Sequence, residues 1–343
     1  MPAPNSSNNQ SHDVVGHDEF YLGYVSQSVL DFVLLVNLDL LCGVIGLLGI
    51  AANLANLKVF LRQGFKDQVN LTLAALAVSD LGALVTLEGY NVLVNPWLAK
   101  ADLPFLPLEV QSLAVFYPHN YFTRVRGFLT AFIAFERCLC VTLPLKVKTI
   151  ITRKVTFSYI TIIYFIMIIN VFPNYYMTYY DWKNVKNRTV WGIFYRPNKD
   201  AVFNISFFVT DFFIPLLSFF IVIICTAITA WTLRSKLQWR KSVSMTTDKP
   251  AAPQKEMKVV RMITVVSAIF IVCFLPFSMI LTSRAVVTEM KINGRFWNLV
   301  LLVGSVAFVL ETINCSISLL VYYNMSTKFR EHLQALWRNT RRL

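Results

Sequence analysis

The stretch FERCLCVTLPLK, residues 135–146, ends a long apolar run with Glu136 and Arg137 side by side, then a proline at 144 and the first of several lysines. Charges placed where an apolar run ends are what a helix leaving lipid requires, because long charged side chains reach water from there. The rest of the chain repeats the pattern. Only 15% of its 343 residues are charged and 56% are hydrophobic, whereas a soluble domain carries about a quarter charged residues. Lipid is therefore the expected solvent. A spanning helix needs about 20 mainly apolar residues, and seven segments supply them: 34–61, 69–95, 109–143, 155–177, 203–233, 257–283 and 297–323.

Only helices and closed barrels satisfy every backbone group in lipid, and the alternation of a lipid-facing barrel is absent. The predicted fold is an all-α membrane protein, a seven-transmembrane helix bundle. It divides into an outer tail (1–33), the bundle (34–323) and a final segment (324–343). In that segment Phe329, Leu333, Leu336 and Trp337 share one helical face, which predicts an amphipathic helix lying on membrane lipid. Prolines at 118, 173, 215 and 276 fall inside spans and are expected to bend their helices.

No Lys or Arg precedes Lys58, while basic residues crowd the connections after the first, third and fifth spans and the C-terminal tail. The positive-inside rule then places the N-terminus outside and the C-terminus in the cytoplasm. Sequons at Asn5, Asn9 and Asn187 fall in the predicted outside segments and are candidate glycosylation sites. The net charge of +13 reads as attraction to anionic lipid and acidic partners. No motif points to nucleic acid. All six cysteines lie in or beside the spans, and no Cys/His spacing suggests zinc. No metal, cofactor or nucleophile–base pair is expected, so the chain does not read as an enzyme.

The motifs, taken in order, resemble those of the rhodopsin-like (class A) G-protein-coupled receptors. ERCLCVTLPL is similar to that family's box at the inner end of the third span, with Glu136, Arg137, Val141, Pro144 and Leu145 in step. Asn53 in the first span, Asp80 in LAVSD, Pro215 in the fifth, FIVCFLP ending at Pro276, and Tyr322 followed by Phe329 and Arg330 fit the same order. The resemblance implies a plasma-membrane receptor that binds an extracellular peptide or small chemical cue and activates a heterotrimeric G protein. Its divergences are similar to those of invertebrate peptide and chemosensory receptors. The resemblance also implies that Arg137 is held at rest by Glu136 and by Glu256 of the sixth span, and that Pro144, Leu145 and Tyr322 belong to the coupling surface.

Ionisable groups inside spans usually face the bundle interior. Arg124 and Arg126 lie about 200° apart around their helix, so they need different partners. On the family layout Arg124 looks toward Asp211, and Arg126 toward Asp80 and Glu311, near Asn53 and Asn314. The family's carboxylate at the position of Asp80 commonly binds sodium; here Arg126 stands where a helper residue would be, which implies an Asp80–Arg126 pair instead. The same layout implies an outer pocket lined by Glu88, His119, Asn120, Thr123, Phe274, Phe277 and Glu311.

Several features depart from the family. Ser112 stands where its outer disulfide would begin, and residues 178–200 contain no Cys. The fourth span lacks Trp, and the seventh reads Ser318-Leu319-Leu320-Val321-Tyr322. No lysine in the seventh span could hold retinal, and His119 replaces the aspartate of amine receptors. Two alternatives stay open on sequence: a transporter using the intramembrane charges as a relay, and a receptor-like protein that binds without signalling.

Overall fold

The computed structural model describes residues 25–95, 97–98, 101–185, 188–244, 254–290 and 294–340. Seven long helices form the bundle. They are α1 (Gln27–Gln63), α2 (Gln68–Val94), α3 (Pro107–Gln111, Ser112–Phe116 and Tyr117–Thr142 in one run), α4 (Arg153–Met177), α5 (Lys199–Ser206, Phe207–Phe213 and Ile214–Ser244), α6 (Gln254–Val286) and α7 (Trp297–Met325). An antiparallel hairpin, β1 (Thr178–Val185) and β2 (Arg188–Tyr195), joins α4 to α5. A last helix, α8 (Thr327–Thr340), follows α7.

Six of these helices are long and apolar enough to cross a membrane. The exception is α3, whose interior carries Arg124, Arg126, Glu136 and Arg137. It sits at the centre of the bundle, so its neighbours rather than lipid meet those charges. Nearly every residue from Arg124 to Cys138 is buried. By contrast α1 exposes Leu40, Leu47, Leu54 and Leu61, seven residues apart and 47–64% exposed. That stripe is the face a membrane helix turns to lipid, since seven residues close two turns.

Local chemistry sets the ends. The hydroxyl of Ser26 accepts from the Val29 N–H and starts α1 at Gln27, seven residues before the predicted boundary. Asp67 and Thr152 cap α2 and α4 in the same way. Gly64 ends α1 with φ of 74°, a backbone that costs a side-chain-bearing residue strain. Pro118 and Pro215 each lie two residues past the wide-turn segments Ser112–Phe116 and Phe207–Phe213. Proline lacks the N–H and crowds the preceding turn, and a π-type turn absorbs both.

Polar side chains tie the helices together. Asn53 Nδ2 donates to the carbonyls of Gly49 (3.0 Å) and Cys315 (2.8 Å), and Asn56 Nδ2 to Ser318 Oγ (3.0 Å). The substituted residue of the α7 motif is thus built into an α1–α7 network. With no Trp in α4, Tyr164 makes the tie to α2, its hydroxyl donating to the Ala75 carbonyl at 2.9 Å. Phe60, Tyr322 and Phe329 form a triangle of rings with all centroids 5.6 Å apart. Phe329 and Leu333 of α8, expected on the lipid-facing side, are buried there instead. The rings of α1 and α7 offer that face a dry partner.

Candidate functional site

The bundle brings a set of candidate site residues together at each end. At the hairpin end a cavity of about 460 Å³ opens among α1, α2, α3, α5, α6 and α7. Its wall is largely apolar, with Leu34, Leu38, Tyr90, Phe308 and Leu281 prominent. Its floor is polar. Glu311 accepts from Thr123 Oγ1 at 2.8 Å and lies 3.5 Å from His119 Nε2. His119 Nδ1 is 3.0 Å from the Ala83 carbonyl, so both ring nitrogens face acceptor oxygens. Asn120 and Phe277 line the cavity as well.

Beneath the floor a narrow cleft of about 40 Å³ runs past Arg124, Arg126, Asp211, Phe274 and Asn314. The two arginines diverge there. Arg124 Nη2 donates to Asp211 Oδ1 at 2.5 Å, and Arg126 Nε to Asp80 Oδ1 at 2.5 Å. Glu311, the alternative partner of Arg126, is engaged by Thr123 and His119. Phe274 stacks on Phe270 at 5.4 Å, and the guanidinium of Arg126 lies 5.7 Å from the centre of the Phe270 ring.

Glu88 does not join this site. Its carboxylate packs on α1, where a Cβ added to Gly46 would fall 1.9 Å from Oε1; only glycine allows that approach. It is absent from the cavity wall because its helical phase turns it toward α1.

The hairpin is fastened to the start of α3 without a disulfide. Glu109, at the start of α3, accepts from Lys183 Nζ (2.7 Å) and from the Ile193 N–H (2.7 Å). Residues 104–106 pair with β2, through Leu106 N–H to Trp191 O at 3.0 Å and Trp191 N–H to Pro104 O at 2.8 Å. Tyr180 donates its hydroxyl to the Val110 carbonyl at 2.7 Å, and burial pushes this phenol up to about 12, so it stays a donor. Arg188 pairs with Asp102 at the exposed edge.

At the opposite end Arg137 Nη2 donates to Glu136 Oε1 at 2.6 Å, and Gln68 Nε2 to the same oxygen at 3.1 Å. Both Glu136 and Arg137 are buried. Lys236 of α5 donates to the Val141 carbonyl at 2.6 Å, covering the end of α3. Beyond it Pro144 is exposed and Leu145 is 92% exposed, while Tyr322 is buried nearby in the aromatic triangle. Glu256 falls within α6, and its side chain lies outside the described residues, as do Asn5, Asn9 and Asn187 entirely.

Sequence reasoning missed Arg284, which lines the large cavity from the last turn of α6. Its signal was available: a cation eight residues past Pro276, just beyond the predicted end of the sixth span.

The sequence profile described as 7 transmembrane receptor (rhodopsin family) matches residues 53–318. Human lysophosphatidic acid receptor 4 is 26% identical over 302 residues, covering 84% of this chain and 74% of that protein. The mouse protein of the same name matches to the same extent.

Proposed function

The chain belongs to the rhodopsin family of seven-transmembrane receptors, and from that premise we propose that it binds a small amphiphile at the hairpin end and activates a heterotrimeric G protein at the other. It is a multi-pass membrane receptor and not an enzyme. In the proposed orientation the N-terminus and the hairpin face outward from the plasma membrane, and α8 lies in the cytoplasm. The observation that carries the ligand reading is the cavity of about 460 Å³, apolar in its walls and polar at its floor. Such a lining suits a ligand with one long apolar part and a few polar atoms. The name shared by the two relatives, lysophosphatidic acid receptor 4, supports the same class.

Ligand binding would shift a two-state equilibrium. In the resting state Glu136 holds Arg137. In the active state the inner end of α6 moves away, Arg137 is released, and Pro144 and Leu145 meet the G protein. Glu256 is proposed to reinforce the resting state. The substituted Ser318–Tyr322 motif favours one second reading, a receptor that binds without signalling. One experiment separates them: GTP turnover on membranes carrying the chain, challenged with single-chain lipids and with a peptide library. Turnover with lipids supports the proposal, and turnover with peptides alone replaces the ligand class. Lipid binding without turnover selects the second reading.

A further inference from the structure

We propose that Arg284 is the anchor for an anionic head group, so that the ligand is an acidic amphiphile rather than a neutral one. This inference rests on the amphiphile reading above and adds the charge of its head.

Three side chains charged at neutral pH line the cavity: Asp211, Arg284 and Glu311. Two are already engaged. Asp211 accepts from Arg124 at Oδ1 and from Thr210 at Oδ2, 2.5 and 3.0 Å away. Glu311 is held by Thr123 and His119. Arg284 forms no ion pair among the described residues, and its Nε is buried without a hydrogen-bond partner. A buried donor left unmade costs free energy, so a ligand supplying an acceptor there gains what the empty site forgoes.

The guanidinium is also held in place. It lies over the Phe207 ring at 5.1 Å and the Trp297 ring at 5.6 Å, one from α5 and one from α7. Aromatic faces attract the cation yet accept no conventional hydrogen bond, so they orient the group while leaving its donors for another partner. A planar fork of donors matches a carboxylate or a phosphate monoester in two parallel bonds. A second unpaired group lies at the same end: Gln111, at the start of α3, lines the cavity with its Oε1 buried and unpartnered. It can accept from a hydroxyl of the ligand. Leu34, Leu38, Val300 and Leu301 of α1 and α7 line the cavity too and would take the apolar tail. The acidic floor at Glu311 repels an anion, which fixes the head at the Arg284 end.

The test uses the full chain in lipid nanodiscs and measures ligand-dependent thermal stabilisation. Four probes are compared: 1-oleoyl lysophosphatidic acid, oleic acid, monooleoylglycerol and glycerol 3-phosphate. The two acidic lipids should stabilise the unmodified chain at lower concentration than monooleoylglycerol, and glycerol 3-phosphate should do little. Arg284→Gln should weaken the acidic lipids at least about tenfold, the equivalent of about 1.4 kcal/mol. Arg284→Lys should recover part of that loss. Monooleoylglycerol should act equally on all three proteins, which also reports that the variants are folded. Equal binding of all three lipids, or no change in the acidic lipids on Arg284→Gln, overturns the anchor while the amphiphile reading stands. Binding of none of the lipids removes both.

Discussion

Arg124 and Arg126 stand two residues apart on α3 and are both buried, yet they sit in different worlds. Arg126 meets Asp80 in the core, with side chains 7% and 2% exposed. Arg124 meets Asp211 at the edge of the cavity at the hairpin end, where the aspartate is 27% exposed, and it has Asn170 Oδ1 as a second acceptor at 3.4 Å. Two residues turn a helix by about 200°, so one charge per face follows from spacing alone. What differs is the surroundings. The inner pair is almost wholly buried and lacks a free substitute partner, because Glu311 is held by Thr123 and His119. The outer pair borders open space and has one. Charge burial thus fixes the helix packing at one level and leaves an adjustable contact little more than half a turn away.

The comparison is broken most severely at the inner pair. Arg126→Ala strands the Asp80 carboxylate, and removing one partner of a buried pair costs about 3–5 kcal/mol. Surface expression should fall to a small fraction of that of the unmodified chain. Asp80→Asn combined with Arg126→Ala should regain part of it, because the stranded charge is gone. Strictly additive losses in the double variant would remove the pairing argument.

The outer pair should yield less. Arg124→Ala gives up a hydrogen bond to a charged group, worth about 1.5–3 kcal/mol, but Asp211 can turn to water in the cavity. The thermal midpoint of the purified receptor should drop by less than in Arg126→Ala, and ligand potency should change with it. A loss as large as that of Arg126→Ala would erase the distinction between the pairs.

A smaller effect is expected at the hairpin. Glu109→Gln removes the charge that holds Lys183 while keeping an acceptor for the Ile193 N–H, a loss of about 0.5–1.5 kcal/mol. Hydrogen exchange should speed up at Ile193 and Trp191 and stay unchanged along α3 from Arg124 to Cys138. Unchanged protection in the hairpin would show that the backbone bonds of residues 104–106 suffice without the Glu109 clasp.

How far the sequence reaches depends on the kind of order involved. Helices in lipid are written as apolar runs, so all seven were legible, and the helical phase of Arg124 and Arg126 pointed to their partners. Boundaries were less so. A single hydroxyl, Ser26, begins α1 early, and the wide turns before Pro118 and Pro215 have no apolar signature. Glu88 shows the limit of phase: the family layout puts it in the pocket, but the notch at Gly46 that receives it belongs to another helix. The hairpin was hidden for a related reason. Its fastening to residues 104–109 is a contact between distant segments, made mainly by backbone groups that every residue carries. Arg284 lies one residue beyond the apolar run of the sixth span, where hydropathy no longer marks a position as part of the helix.

The smallest expected effect is an absence, and it bears on what the inner pair has replaced. In this family a mid-membrane sodium ion commonly neutralises the carboxylate at the position of Asp80. Here Arg126 Nε lies 2.5 Å from Asp80 Oδ1, so a fixed guanidinium supplies the positive charge and occupies the approach to the carboxylate. A sodium ion arriving there would meet a cation and would have to displace it. Ligand potency should therefore be the same in sodium and in an organic cation at about 0.15 M. Ionic strength must be held constant, because the net charge of +13 makes the encounter with the proposed anionic ligand sensitive to screening. Sodium-dependent potency under that control would mean that Arg126 leaves the carboxylate in some state of the receptor, and the inner pair would then be as adjustable as the outer one.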